Sequence, residues 1–324
     1  MAMKTALNWV RRAYFGASPE KPESPAPRTF DEAQKHYHLV LDTRNLSSKA
    51  LSNKRRAMHY LETVFTGQTI GAIRPFEIAR LIRAIHDAGK HVTSRQVLSV
   101  ARDLFNEALL QGWVDMNPAL HVKRLPAPVR RERLTLDDFV AIHAHACRHA
   151  PSWFPIAMRL ALLTGQRRSD IVRLRFSDVH DDHLFIEQHK TGARVAIPLA
   201  LKLEALGCSV ADVIHEARQY EPLQHDFMIR SEFRPRGYLG AHNLSVRFSE
   251  ARKNAVPEHA GPGTPPTFHE IRSLSARLYR KQGVDTQTLL GHSKASMTEI
   301  YENDRGLHQG QWKYVSLPAG DTLP

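Results

Sequence analysis

The sequence predicts a mainly α-helical (α+β) protein, in which a helical bundle precedes a second, mostly helical domain with a small β-hairpin. The 324 residues exceed the size at which one hydrophobic core usually keeps growing, so two domains are expected. Apolar residues recur at helical spacing over most of the chain. One segment, HLFIEQHKTGARVAIPL, instead alternates apolar and polar residues on both sides of a Lys-Thr-Gly turn, which predicts the hairpin.

Residues 1–28 are predicted to be an N-terminal helix and a stiff linker. Leu7, Val10 and Tyr14 have helical spacing within residues 1–15. The stretch GASPEKPESPAPR then brings four prolines, which favour extended structure over a folded element.

Residues 29–122 are predicted to form a bundle of four amphipathic helices, with Thr29 as the N-cap of the first. We expect Asn117-Pro118 to stop the last helix. The four predicted apolar faces are Tyr37, Val40 and Leu41; Met58, Leu61, Val64 and Phe65; Ile78, Leu81, Ile82 and Ile85; and Leu98, Ala101, Leu104, Phe105, Ala108 and Leu109.

Residues 123–133 are predicted to be an extended interdomain linker, because Pro126 and Pro128 interrupt helical structure. The linker is crowded with basic residues, namely Lys123, Arg124, Arg130, Arg131 and Arg133. Such a connector can cross a DNA backbone, since phosphate contacts need only charge and reach. A solvated linker explains the same residues equally well.

The second domain is predicted to span residues 134–310. Thr135 and Asp138 have the spacing of a capping box and predict a helix to about residue 146. Further helices are expected at about residues 153–163 and 168–176, and the chain beyond about residue 200 is mainly helical. Residues 311–324 form a tail with strand-like alternation.

The composition favours a partner with negative charge. Lys and Arg total 45 against 33 Asp and Glu, giving a net charge of +12 and a pI near 9.9. This balance is typical of nucleic-acid binders, although a basic solvated surface remains the alternative. No apolar run approaches a membrane span, no secretory signal is present, and Cys147 and Cys208 are the only cysteines. We expect a cytoplasmic protein without a membrane partner.

Neither a metal nor another cofactor is expected. The run HAHACRH places His143, His145, Cys147 and His149 at alternate helix positions, which point in different directions and cannot close a tetrahedral site. The HExx start at residue 269 has Ser273 where a zinc protease needs a second His. Neither the Rossmann nor the P-loop glycine pattern occurs.

The second domain contains an ordered set of candidate catalytic residues: Arg167, Lys190, His269, Arg272, His292 and Tyr301. Arg167 starts a predicted helix after a Thr-Gly turn, and Asp170 could orient its guanidinium. Lys190 lies near the hairpin tip. His269 and Arg272 share one helix face. Each feature alone is weak evidence for catalysis. An arginine at a helix start, for example, is more often a surface residue.

Taken together, these motifs resemble those of the tyrosine recombinases, and specifically the lambda-type integrases, over about residues 30–315. The resemblance is densest in TGQRRSD, EQHKTGARVAIP, PPTFHEIRSLSARLY and LLGHSKASMTEIY. It implies a core-binding domain at residues 29–122, a catalytic domain at 134–310, and a site-specific DNA recombinase of a phage or other mobile element. It implies that Tyr301 is the nucleophile.

The chemistry of the residue types agrees with that role. Two guanidiniums, Arg167 and Arg272, suit the charge that gathers on a scissile phosphate. A phenol needs a proton acceptor to attack near pH 7, and we expect His269 to assist it as a general base. Lys190 is expected to protonate the leaving 5′ oxygen, and His292 to donate a hydrogen bond to the phosphate.

The resemblance further implies a homotetramer that exchanges strands between two attachment sites through a Holliday junction, in the bacterial cytoplasm and at the nucleoid when bound. DNA-bending accessory proteins are candidate partners. Lambda-type integrases usually carry a separate N-terminal domain for arm-type sites; residues 1–28 show no strand alternation, so arm binding is not expected. The tail, residues 311–324, is expected to contact a neighbouring protomer. The candidate DNA contacts are Lys54, Arg55, Arg56, Lys123, Arg124, Arg130 and Arg131.

Three alternatives remain. The same chemistry serves a cellular Xer-like resolvase or a type IB topoisomerase that only relaxes DNA. A catalytically silent DNA-binding protein on the same scaffold belongs to another class. The intact set of six residues argues against it, because a silent relative would be free to lose Tyr301 or Lys190.

Overall fold

The computed structural model describes residues 28–127, 132–219, 226–230, 239–257 and 263–303. The predicted N-terminal helix and linker, Arg130, Arg131 and the tail at 311–324 lie outside these ranges. The chain divides into two compact units, Met1–Val129 and Arg130–Pro324. The division falls within the predicted linker, residues 123–133.

The first unit contains the predicted helical bundle. Its helices are α1 Phe30–Thr43, α2 Ser48–Phe65, α3 Pro75–Asp87 and α4 His91–Leu110, with short 3-10 helices at Ile70–Ala72 and Pro118–His121. The Thr29 side chain accepts from the Glu32 amide, and the Glu32 carboxylate accepts from the Thr29 amide, so the predicted N-cap is confirmed. Each helix buries one apolar stripe in a common core.

Two details of the bundle differ from the sequence prediction. Val64 and Leu109, predicted to face the core, are 44% and 40% exposed, because each lies at the edge of its apolar stripe. Asn117-Pro118 does not stop a long helix: α4 already ends at Leu110, and the next turn passes through Gly112 at φ +69°. Asn117 instead accepts from the Ala119 amide and caps the following 3-10 helix.

A polar cluster ties three helices of the bundle together. Asp103 accepts hydrogen bonds from Tyr37 at 2.7 Å, Arg44 at 2.7 Å and Lys54 at 2.6 Å. Burial acts to raise the pKa of Asp103, but these donors lower it to about 2. The Lys54 charge is therefore compensated within the protein, although the sequence made it a candidate DNA contact.

The second unit is mostly helical and is built around one central helix. Its helices are α5 Leu136–His149, α6 Trp153–Thr164, α7 Arg168–Ile171, α8 Val210–Gln219, α9 Ala241–Ala255, α10 Glu270–Lys281, α11 Thr286–Leu290 and α12 Ala295–Glu302. Helix α6 is apolar on nearly every side and packs against α5, α8 and α10. The capping box of Thr135 and Asp138 is confirmed.

The predicted hairpin is confirmed as β2 His183–Glu187 and β3 Arg194–Pro198, antiparallel with Leu184 opposite Ile197. Leu184 and Ile186 point into the core, as period-two alternation requires. The sequence did not predict β1 Val179–His180, which adds a third strand, or the short pair β4 Lys202–Leu203 and β5 Cys208–Ser209.

The helix predicted at 168–176 is wrong in length, since α7 ends at Ile171. The chain beyond it is drawn into extended pairing with a distant segment. The Met228 amide donates to the Leu174 carbonyl at 2.9 Å, and the Phe176 amide donates to the Asp226 carbonyl at 2.7 Å. These long-range hydrogen bonds replace the hydrogen bonds that a longer helix would make.

The histidine-rich run lies on α5 as two separate pairs. The Cys147 sulfur is 3.7 Å from His143 Nδ1, and the rings of His145 and His149 are 4.5 Å apart. In the ranges described, no group of three His, Cys, Asp or Glu side chains is placed to hold a metal ion. None of the helices described there is long and apolar enough to cross a bilayer.

Candidate active site

The structure brings the candidate residues of α10, the turn after α11, and α12 into one cluster. Tyr301, on α12, has its hydroxyl 3.3 Å from Nε2 of His269, the residue at the N-cap of α10. The Tyr301 ring lies 5.2 Å from the His292 ring and 5.2 Å from the Arg272 guanidinium carbon. A half-buried phenol is thus placed between an imidazole nitrogen and a guanidinium cation.

Arg272 is the most rigidly held member of the cluster. It is 1% exposed, and it donates to the Gly165 carbonyl at 2.6 Å and the Leu290 carbonyl at 2.7 Å. Burial, with Arg167 nearby, lowers the pKa of Arg272 to about 10, so it stays charged at pH 7. Gly165 adopts φ +64°, and a Cβ there would meet the Leu290 side chain at 3.0 Å. Only glycine fits this turn without strain.

His292 is buried and neutral. Its Nε2 accepts from Arg272 at 3.0 Å, so Nδ1 carries the hydrogen and donates to Thr298 Oγ1 at 2.9 Å. Burial, then the charges of Arg272 and Arg167, lower the pKa of His292 to about 4. His292 is predicted to donate a hydrogen bond to the phosphate, and donation from Nε2 would therefore require the other tautomer.

Arg167 is held by a residue that the sequence analysis missed. Its Nη1 donates to Gln188 Oε1 at 2.5 Å, and Gln188 in turn donates to the Leu290 carbonyl at 2.9 Å and to Gln166 Oε1 at 2.7 Å. Gln188 is fully buried. The strand alternation already placed it on the inward face, two residues after Ile186. A polar residue at an inward position must be hydrogen-bonded, and that signal could have identified it.

Asp170 supports the hairpin instead of the Arg167 guanidinium. Its Oδ1 accepts from the backbone amide of His189 at 3.0 Å, next to Lys190. Thr191 donates its hydroxyl to Gln188 Oε1 at 2.9 Å, which closes the base of the same loop. Lys190 itself is exposed on this loop. The backbone at the start of the loop is therefore held by hydrogen bonds, while the Lys190 side chain projects outward.

The other predicted basic residues separate into exposed and buried ones. Arg56, Lys123 and Arg124 are exposed. Arg55 is half exposed and pairs with Asp42 at 2.9 Å. Arg133 is not part of a solvated linker, because it is 5% exposed within the second unit.

A cleft of about 450 Å³ opens beside His269, and its basic residues were not among the predicted site residues. Arg168 and Arg252 line it together with Ser245 and Ser249. Arg168 donates to the Ser245 hydroxyl, and Arg252 donates to the Pro266 carbonyl at 2.6 Å. Two cations and two hydroxyls next to a candidate base are groups that contact phosphates.

Comparison with known proteins shows the family to which the chain belongs. The model of the phage integrase family matches residues 132–307. The integrase of Escherichia phage HK022 is 37% identical over 283 residues, which are 87% of this chain and 76% of that protein. A lambda integrase dimer bound to a COC′ core site has a TM-score of 0.81 and 34% identity, over 90% of this chain and 100% of the other. A lambda integrase tetramer bound to a Holliday junction has a TM-score of 0.81 and 32% identity, over 97% and 89%. The chain therefore belongs to the phage integrase family and is a site-specific tyrosine recombinase, a DNA strand transferase.

Proposed function

We propose that this integrase cuts and rejoins duplex DNA through a 3′-phosphotyrosine at Tyr301, with no metal and no ATP. The observation that supports it is the Tyr301 hydroxyl, 3.3 Å from His269 Nε2 and beside the buried Arg272. His269 accepts the phenol proton as the oxygen attacks phosphorus. The P–O5′ bond breaks and leaves a free 5′-hydroxyl, so the bond energy is kept in the phosphotyrosine for rejoining.

Arg167 and Arg272 bind the non-bridging oxygens, where negative charge gathers in the transition state. Gln188 and the Gly165 and Leu290 carbonyls hold the two guanidiniums before DNA arrives, so little reorganisation is needed during the reaction. Arg167 is partly exposed, so a phosphate can reach its guanidinium.

The direct test is trapping of the wild-type protein on nicked suicide duplexes, with and without a chelator. We expect a covalent adduct on a denaturing gel whose yield is unchanged by EDTA. Loss of the adduct on chelation, with its return on adding a divalent ion, would contradict the metal-free mechanism.

Lys190 is the proposed general acid for the 5′ oxygen. Lys190→Ala should slow cleavage of ordinary DNA by about 10²-fold or more, because an alkoxide leaving group needs a proton. A substrate with a 5′-bridging sulfur leaves as a thiolate and needs none, so the variant should cleave it at nearly the wild-type rate. Equal defects on both substrates would remove Lys190 from this role.

The partners proposed are two duplex sites and three further copies of the chain. Lambda integrase forms a tetramer on a Holliday junction, and this chain resembles it over both units. We assign the first unit, residues 29–122, to core-site binding, with Arg56, Lys123 and Arg124 as exposed phosphate contacts. DNA-bending proteins are candidate accessory factors.

The tail, residues 311–324, is proposed to dock on a neighbouring protomer and couple the copies. Its alternating pattern is too short to form a sheet alone, so it needs an edge to pair with. Deletion of residues 311–324 should leave single-site cleavage intact and abolish recombination between paired sites, as measured on the same plasmids. A truncated protein that recombines as well as the full chain would exclude this role.

Relaxation of DNA without recombination by the full chain would favour the topoisomerase alternative.

A further inference from the structure

The side chain of Arg133 joins the two helices whose ends form the candidate active site. Its side chain is 3% exposed, and its three nitrogens make four hydrogen bonds. Nη1 donates to Glu270 Oε2 at 3.0 Å and to the Ser273 hydroxyl at 2.8 Å, both on α10. Nε donates to the Asn303 carbonyl at 2.8 Å, and Nη2 donates to the Ile300 carbonyl, at the end of α12.

These four acceptors flank the reacting groups. Glu270 follows His269 and Ser273 follows Arg272, while the Ile300 carbonyl immediately precedes Tyr301 in the chain. Terminal carbonyls of a helix lack intrahelical donors, and a guanidinium both satisfies them and opposes the negative end of the helix dipole. The Arg133–Glu270 ion pair is buried on both sides, at 3% and 4% exposure. Its charges are compensated mutually and by the hydrogen bonds around them.

Helix α12 has little intrinsic capacity to keep its place. It spans Ala295–Glu302 and lacks a side-chain hydrogen bond at its N-cap, Lys294. An eight-residue helix is marginal by itself, so tertiary contacts must position it. The hydrogen bond between His292 and Thr298 holds the middle of the helix. The hydrogen bond between Thr286 and Glu302 holds one side of its last turn. Arg133 adds the link between this last turn and the start of α10.

We propose that Arg133 is a positioning residue that sets the hydroxyl of Tyr301 against His269. The proposal rests on the phosphotyrosine mechanism and adds to it a residue that touches neither the phosphate nor the phenol. Loss of the guanidinium would free the last turn of α12 and lengthen the distance from the phenol to its base. A displacement of about 1 Å at a reacting group costs about 10²-fold in rate.

The test compares Arg133→Ala and Arg133→Lys with the wild type and with Arg277→Ala. Arg277 is a matched control, because it is also a buried arginine of the second unit, on α10, and it donates to the Leu134 carbonyl at 2.6 Å and to the Ser273 carbonyl at 3.3 Å. For each protein, single-turnover adduct formation is measured at saturating suicide duplex from pH 6 to 9.5. Duplex affinity and Tm are measured alongside.

We expect Arg133→Ala to cleave about 10²-fold more slowly at pH 7 with nearly unchanged duplex affinity. Its rate should rise about tenfold per pH unit, because a phenol displaced from its base must be ionised by hydroxide. Arg133→Lys should lie between this variant and the wild type, since it keeps the charge opposite Glu270 but not the planar fork. Arg277→Ala should lower Tm while keeping the wild-type rate constant and pH profile in its folded fraction.

Amide hydrogen exchange over residues 295–303 supplies a readout that does not depend on the chemistry. Exchange there should accelerate in Arg133→Ala and not in Arg277→Ala. If Arg133→Ala fails to fold, Arg133→Met keeps much of the side-chain volume and takes its place. Wild-type rate and wild-type exchange in the Arg133 variants would overturn the proposal, as would an identical loss in Arg277→Ala. An adduct that persists in Tyr301→Phe would instead overturn the phosphotyrosine mechanism and leave the exchange measurement to decide on Arg133.

Discussion

Replacement of Tyr301 by Phe is expected to abolish the covalent protein–DNA adduct while duplex affinity stays unchanged. The substitution removes one oxygen, the atom that lies 3.3 Å from His269 Nε2, and keeps the ring that rests 5.2 Å from the Arg272 guanidinium. Because no other atom of the ring can attack phosphorus, the loss should reach the detection limit. The measurement is adduct yield on nicked suicide duplexes, with affinity from a gel-shift titration.

Tyr279→Phe is the matched control for this change. Tyr279 lies on α10 in the same unit, is fully buried, and its hydroxyl has no hydrogen-bond partner among the described residues. Its loss of one hydroxyl should leave adduct formation at the wild-type level. An adduct in Tyr301→Phe, or loss of the adduct in Tyr279→Phe alone, would show that Tyr301 is not the nucleophile.

Removal of either arginine proposed to bind the phosphate, Arg167 or Arg272, is expected to produce the second large effect. Arg167→Ala should lower the cleavage rate about 10²–10³-fold, the usual loss for one transition-state donor. Arg272→Ala should lose at least as much activity and should also lower Tm, because the Gly165 and Leu290 carbonyls lose their buried donor. Single-turnover rates and thermal unfolding of both variants separate the two contributions.

Arg173→Ala controls for the loss of one positive charge. Arg173 is an exposed arginine of the same unit, three residues beyond Asp170, and its removal should change neither rate nor Tm appreciably. The assignment of Arg167 and Arg272 to the transition state predicts that their duplex affinities fall far less than their rates. Equal losses in affinity and rate would make them ordinary binding residues.

Much of the architecture follows from local pattern. Period-3.6 apolar spacing predicted the bundle helices, an N-cap predicted the start at Thr29, a capping box predicted the start at Thr135, and period-two alternation predicted the hairpin. These features depend on neighbours within a few residues, which the sequence displays directly. The order of the candidate catalytic residues was also readable, because each lies in a long, distinctive motif.

Other features depended on residues far apart in the chain. The helix begun at Arg168 ended early because residues 174–176 paired with 226–228. The sequence predicted Lys54 to be an exposed DNA contact, but Lys54 donates to Asp103, which lies 49 positions away in the chain. A charged side chain in a sequence carries no mark of whether it meets solvent or a buried partner.

The sequence by itself determined that the protein is mainly helical and basic, and its motifs predicted the catalytic residues of a tyrosine recombinase. Only the tertiary structure decided how those residues are held. Arg133 reads as one more linker cation, yet it reaches residues 303 and 270 and joins the ends of two helices. In the sequence Gln188 only follows a predicted strand, yet in the structure its side chain accepts a hydrogen bond from Arg167. Buried polar groups must find hydrogen-bond partners, and packing, not proximity along the chain, selects which partners are within reach.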